Sequence, residues 1–357
     1  MKKAAFVFIL SLISGVAFSQ TYRSEEVVEK YIDGEGREVV LAGTLTLPAY
    51  ASADGGYPAV VLVSGSGQQD RDESLFGHKP FRTIAEYLAS RGIASLRFDD
   101  RGVGGSSGPL ADATTYSFAD DAEVMFVRLR KHPEVDPHRV GIMGHSEGGA
   151  IAPLIAARNA DVAFVVMLAG QGCTGAETLL QQNEALFRLK GTPDSLVDVR
   201  LKCMRGFFDA MKIYPESAYD SVFKSIVNDY AGHLTRKERH SVGVLGGDAY
   251  LFAQQMALPW MKAFVALAPA DYLPKVKCPV LALAGEKDCQ VLAQPNIEAI
   301  RKLCQPDLLT TVVYDSMNHL LQTCQTGDVN EYATIKEDIS ETVLRQMSEW
   351  ILQRAAK

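Results

Sequence analysis

Val140-Gly-Ile-Met-Gly-His-Ser-Glu-Gly-Gly149 decides how this 357-residue chain is read. An apolar run enters Gly144-His-Ser-Glu-Gly148 and leaves into Ala150-Ile-Ala-Pro-Leu-Ile-Ala-Ala157, which has helical character. A strand that turns this sharply into a helix needs glycines where the two backbones pass, and it lifts the central residue out of the sheet. That residue is Ser146, a weak nucleophile placed at the start of a helix, whose positive end faces the reacting atom. His145 reads as a packing residue on the turn.

Upstream of the elbow, strand-like and helix-like runs alternate. Glu25–Tyr31 and Glu38–Leu47 flank Asp33-Gly-Glu-Gly36 and read as an antiparallel hairpin at a sheet edge. Residues 58–63 form a buried strand that stops at Ser64-Gly-Ser-Gly-Gln-Gln-Asp-Arg-Asp-Glu73. A helix over 81–89, a strand over 93–98 and an amphipathic helix over 116–131, with Ser117 as its cap, follow. Strands over 139–143 and 164–168 bracket the elbow. This alternation predicts an α/β fold with a mostly parallel sheet, which binds ligands at the carboxyl ends of its strands.

From residue 173 to 264 the strands disappear. Helices over 176–189, 194–213 and 217–234 read as a cap inserted above the sheet. The strand pattern resumes at 279–284, with a helix over 296–303, a strand over 308–314 and a closing helix over 335–353. The expected division is therefore 20–172 and 265–357 as the core, with 173–264 as the cap. Residues 1–19 read as a signal peptide, a short basic start before about 15 apolar residues, too few to span a bilayer. The chain is thus expected to be exported to the periplasm or beyond, with no stable membrane insertion.

Asp288 and His319 each lie just beyond a strand, after Ser146 and in that order. An attacking serine needs a base to take its proton, and the imidazolium that results needs a carboxylate to orient and stabilise it. Glu286 and Asp315 are rivals for the acid, although Asp315 sits too near His319 in the chain to orient it easily. An oxyanion would take backbone N–H groups from Glu147 and from the 64–73 loop, with Ser66 first and Gln68 second. Asp70, Arg71, Asp72 and Glu73 read as a surface ion-pair cluster or a brace for that loop. Asp100 and Arg101 read as pinning the next one.

Composition narrows the partners. The formal charge is −7, or −9 without Lys2 and Lys3, which argues against nucleic acid as a partner. The six cysteines show no Cys-x-x-Cys pair and no histidine at zinc-ligand spacing, so no metal is expected. Cys289 and Cys324 are the candidate disulfide.

With these motifs in hand, the chain from Gln20 onward resembles the bacterial carboxylesterases of the α/β-hydrolase superfamily. The likeness rests on 64–73, Asp100-Arg-Gly-Val-Gly104, Gly144–Gly148, Pro279-Val-Leu-Ala-Leu-Ala-Gly-Glu-Lys-Asp288 and Asn318-His319. It departs in Ser64, where many relatives carry histidine. The resemblance implies an α/β-hydrolase fold, hydrolysis of short or medium acyl esters of small molecules through an acyl-enzyme, and no cofactor. Trp260 is the expected pocket residue within the cap. Two other readings stay open: a serine peptidase or aminopeptidase, for which Glu177 or Glu184 could anchor a peptide terminus, and a non-catalytic binding protein of the same fold.

Overall fold

The structure is a computed structural model that describes residues 21–52, 55–244 and 246–355. The expected signal peptide, 1–19, lies outside them.

The hairpin forms as β1 (Tyr22–Ile32) and β2 (Glu38–Pro48), paired antiparallel in full register. Then come β3 (Tyr57–Val63), α1 (Pro80–Ser90), β4 (Ala94–Phe98), α2 (Thr115–Arg130), β5 (Val135–His145), α3 (Glu147–Arg158) and β6 (Val165–Leu168). Six helices follow before the next strand: α4 (Gly175–Leu189), α5 (Asp194–Met211), α6 (Tyr219–Ala231), α7 (Arg236–Ser241), α8 (Gly246–Met256) and α9 (Pro259–Ala266). The chain closes with β7 (Val280–Gly285), α10 (Ala293–Leu303), β8 (Leu309–Tyr314) and α11 (Glu341–Ala355).

The eight strands form one sheet in the order β1-β2-β4-β3-β5-β6-β7-β8. β2 meets β4 antiparallel, and every pairing from β4 to β8 is parallel. From β3 the chain steps out to β4, then returns to place β5 on the other flank. The order therefore reverses between β3 and β5, and a crevice opens where the loops leaving these strands diverge. One of those loops begins at Ser64; the other is the elbow.

Both faces of the central strands are covered, while the edge strands β1 and β8 are largely half-buried or exposed. Val61, Ile142, Ile151 and Met125 pack on one side, and Leu62, Met143, Phe81 and Met347 on the other. A parallel sheet covered on both faces needs near-continuous apolar strands, and the residues of β3, β4 and β6 are all buried. The cap has a core of its own, built around Phe207, Phe223 and Met204. Among the described residues, no helix is long and apolar enough to cross a membrane.

Three local expectations need correction. Ser117 is the third residue of α2 rather than its cap: Thr114 caps the helix, accepting from the Ser117 N–H while the Ser117 hydroxyl accepts from Thr114 N. The closing helix begins at Glu341, not 335. The preceding segment is held off the helix by Ser340, whose N–H bonds Leu321 O, and by Asp338, which accepts from Thr83 and meets His78. The cysteines, Cys289 and Cys324 included, are free. The Cys289 thiol faces Gly327 O and that of Cys324 faces Ser316 O, so the two do not form the expected bridge.

Candidate active site

The elbow has the geometry its glycines imply. A Cβ on Gly144 would lie 1.8 Å from Gly148 O, and one on Gly148 would lie 2.1 Å from Val63 O. No side chain fits at either position. Ser146 is thereby held at φ 55°, ψ −117°, a conformation that L-residues avoid, with its N–H bonded to Leu168 O at 2.9 Å. The strain is sustained because β5, β6 and α3 fix the chain on either side.

Ser146 and His319 line one cavity of about 200 Å³ beneath the cap. His319 Nδ1 lies 2.7 Å from Asp288 Oδ2. The other Asp288 oxygen accepts the N–H groups of Gln290 and Val291, both at 2.8 Å, so the carboxylate is fixed as well as buried. Asp288 thus meets the imidazole, while Glu286 accepts from Ser316 N. With Nδ1 donating to Asp288, Nε2 of His319 is left as the basic nitrogen.

Behind this pair lies a second buried pair. His145 Nδ1 meets Glu73 Oε1 at 2.9 Å and Nε2 meets His319 O at 3.0 Å, with the two imidazole rings 4.8 Å apart. Burial works to lower the His145 pKa, but the Glu73 carboxylate outweighs it and holds the value above the ordinary histidine range. Both ring nitrogens face acceptors, as a doubly protonated imidazole requires. Glu73 Oε1 also accepts the Gly65 N–H at 2.7 Å. One carboxylate therefore ties the 64–73 loop to the strand that ends in the elbow, and His145 ties that strand to the loop carrying His319. His145 is more than a packing residue, and Glu73 belongs to the interior rather than to a surface cluster.

The rest of the loop is braced as its charges suggested. Arg71 Nη2 bonds Asp99 Oδ2 at 2.8 Å, Arg97 Nε bonds Asp72 Oδ1 at 2.8 Å, and Asp100 accepts from Ser64 Oγ and Gln69 N. Burial pushes the Asp100 carboxyl up to about 7. Arg101 is spent on Asp121 and Tyr31.

Glu147 was singled out for its backbone, yet its side chain is the less expected feature. The carboxylate is 1% exposed and accepts from Thr115 Oγ1 at 2.5 Å, Ser66 Oγ at 2.8 Å and Trp260 Nε1 at 2.9 Å. Burial raises its pKa, against the three donors. Thus the residue after Ser146 joins the 64–73 loop, α2 and the cap. Trp260 does line the cavity, but its indole N–H is committed to Glu147. Gln68 lines an outer groove with Leu110, Phe118 and Leu258, whereas Ser66 borders both that groove and the cavity. Glu177 accepts from Thr174 in the capping box of α4, and Glu184 pairs with Arg188; neither borders the cavity.

Sequence comparison places residues 78–323 under the model of the Hydrolase_4 family, described as serine aminopeptidase S33. The chain belongs to this family. It is an α/β-hydrolase, and its sheet order, elbow and helical cap are those of that fold. Among curated proteins it is 25% identical over 350 residues to Esterase EstD of Thermotoga maritima, covering 96% of this chain and 74% of that one. Two solved structures share the fold at low identity. Est1E of Butyrivibrio proteoclasticus with ferulic acid bound is 17% identical with a TM-score of 0.51, covering 92% of this chain and 99% of Est1E. Proline iminopeptidase of Mycobacterium smegmatis is 15% identical with a TM-score of 0.51, again covering 92% and 99%.

Proposed function

We propose that this α/β-hydrolase is a carboxylesterase that cleaves short- to medium-chain acyl esters with Ser146, His319 and Asp288. The observation that carries the reading is the shared cavity. Ser146 and His319 both line it, with the Asp288 carboxylate fixed behind the imidazole, while the acids that could anchor a peptide terminus lie elsewhere.

In this reading His319 Nε2 takes the Ser146 proton as Oγ attacks the ester carbonyl carbon. Asp288 stabilises the imidazolium that forms. The tetrahedral oxyanion receives the backbone N–H groups of Glu147 and Ser66; the Gly65 N–H is already bonded to Glu73, which leaves Ser66 as the next donor along the loop. Collapse expels the alcohol, which leaves with the proton from His319. Water then adds to the acyl-serine by the same route, releasing the acid and restoring Ser146. No cofactor enters the cycle. Residues 1–19 would direct export, and a mature protein beginning at Gln20 is the expected product.

The family description and the proline iminopeptidase neighbour favour a second reading, an aminopeptidase with the same triad. Matched 4-nitrophenyl esters of acetate, butyrate and octanoate against aminoacyl 4-nitroanilides separate the two. Turnover of the shorter esters with little on the anilides is expected; faster turnover of the anilides would replace the esterase reading with the peptidase one.

A further inference from the structure

The cavity that holds Ser146 is lined by several neutral hydrogen-bonding groups. Gln171, Gln182, Gln290 and Thr178 line it beside the apolar Leu179, Val291 and Phe264. Its titratable lining residues are Glu73, His145 and His319. Of these, Glu73 and His145 are bonded to one another, and His319 is bonded to Asp288. Neither a free carboxylate nor a cation is offered to a substrate among the described lining residues.

Two of the neutral groups are unpaired. Gln171 is 1% exposed and Thr178 3%, and the Gln171 side-chain carbonyl and the Thr178 hydroxyl have no hydrogen-bond partner among the described residues. Buried polar atoms are rarely left so, and an exception at a binding site points to a ligand that completes them.

Gln171 is held where it stands. The flanking Gly170 packs against Gly149 of α3 so closely that a Cβ on Gly149 would lie 2.6 Å from Gly170 Cα. On the other side, the N–H groups of Gly172 and Cys173 both bond Asn296 Oδ1, at 2.9 and 3.0 Å. Thr178 comes from the cap, one turn before Gln182 on α4. A core amide and a cap hydroxyl therefore converge on the space beside the nucleophile.

We infer that the cavity accepts an uncharged, hydroxyl-bearing group, so that the preferred substrates are esters with hydroxyls close to the scissile bond. The amide carbonyl of Gln171 accepts from one such hydroxyl, and Thr178 can donate to or accept from another. A site built to hydrogen-bond a hydroxyl discriminates against the alkyl analogue, because its own buried groups are then left unpaired. This rests on the esterase reading and adds the substrate class to it. The hydroxyls could belong to the alcohol, as in a polyol or sugar acetate, or to the acid, as in a glycolate.

The test compares kcat/KM for glycerol monoacetate with pentyl acetate, and for methyl glycolate with methyl propionate, in wild type and in Gln171→Leu/Thr178→Val, with each single variant as a check on folding. Wild type should prefer the hydroxylated member of at least one pair by about tenfold, the worth of one or two net hydrogen bonds. The double variant should bring that ratio close to one. The pair that responds tells which side of the ester carries the hydroxyls. A wild-type ratio near one in both pairs, or a preference that survives the double variant, overturns the inference. Should 4-nitrophenyl acetate and every other ester resist wild type, the esterase reading fails by itself. Binding of glycerol and of glycolamide, followed by ligand-observed NMR, then decides the inference: contact in wild type that the double variant loses upholds it, and no contact in wild type overturns it.

Discussion

The sheet and the cap are both closed by apolar cores, but they contribute different things to the site. Ser146, Asp288 and His319 all lie just beyond strands of the sheet, with both Asp288 and His319 buried. The cap encloses its own cluster of aromatic rings, with Phe207 and Phe223 centroids 4.4 Å apart. It reaches the cavity through Thr178, Leu179, Gln182, Trp260 and Phe264. On the proposed reading the difference teaches a division of labour: the core would fix the chemistry, and the cap would select what is brought to it. Glu147 is where the two are joined, since the residue next to Ser146 also accepts from the cap's Trp260.

The sharpest break between the two should come from the core. Ser146→Ala and His319→Ala are expected to lower kcat on 4-nitrophenyl acetate by about 10⁶-fold, and Asp288→Asn by roughly 10⁴-fold, as for triads in general. Turnover retained in His319→Ala would mean another base serves Ser146. A substitution in the cap core should act on stability before chemistry. Phe223→Ala, at a fully buried position, should cost about 3–5 kcal/mol. Hydrogen exchange should then show deprotection concentrated in α5 and α6 with the sheet still protected; uniform deprotection would mean cap and core unfold as one unit.

The joint between them should give a smaller effect. Glu147→Gln places an amide NH₂ among three donors and should lower kcat/KM by about tenfold, the cost of one or two buried hydrogen bonds. Trp260→Phe, which removes one of those donors, should cost less. If Glu147→Gln is silent, the cap and the 64–73 loop are not coupled through it.

The smallest effect is a pH dependence confined to the core. The Asp100 carboxyl, raised from 3.8 to about 7, binds its proton more tightly folded than unfolded. The stability this contributes is complete below about pH 3.8 and fades as pH rises through 7. Asp100→Asn cannot ionise, so its melting temperature relative to wild type should improve between pH 5 and pH 8.5. A constant difference across that range would show that Asp100 titrates as an ordinary carboxylate.

The same division explains what the amino-acid sequence discloses. The elbow, the parallel sheet and the positions of Ser146, Asp288 and His319 are legible because each leaves a local mark: glycines at fixed offsets, or a polar residue just past an apolar strand. At α2 the sequence offers Thr114 and Ser117 as competing caps, and only the structure shows that Thr114 caps while Ser117 closes the box three residues on. The Glu73–His145 pair and the Thr115–Glu147–Trp260 cluster leave no such mark. Their partners are 72, 32 and 113 residues apart, and only the folded sheet brings them together. The cap shows the limit most clearly: periodicity marks α4, α5 and α6, but it gives neither the short helices α7, α8 and α9, the last of which carries Trp260 and Phe264, nor which helix faces meet the cavity.

The claim on which the rest depends is that Ser146 is a nucleophile activated by His319. Labelling with a fluorophosphonate, with the modified peptide read by mass spectrometry, tests it most directly. The account predicts a single phosphonylated residue, Ser146, with labelling abolished in Ser146→Ala and strongly slowed in His319→Ala. Label on a different residue, or equal labelling of Ser146 with and without His319, would contradict it.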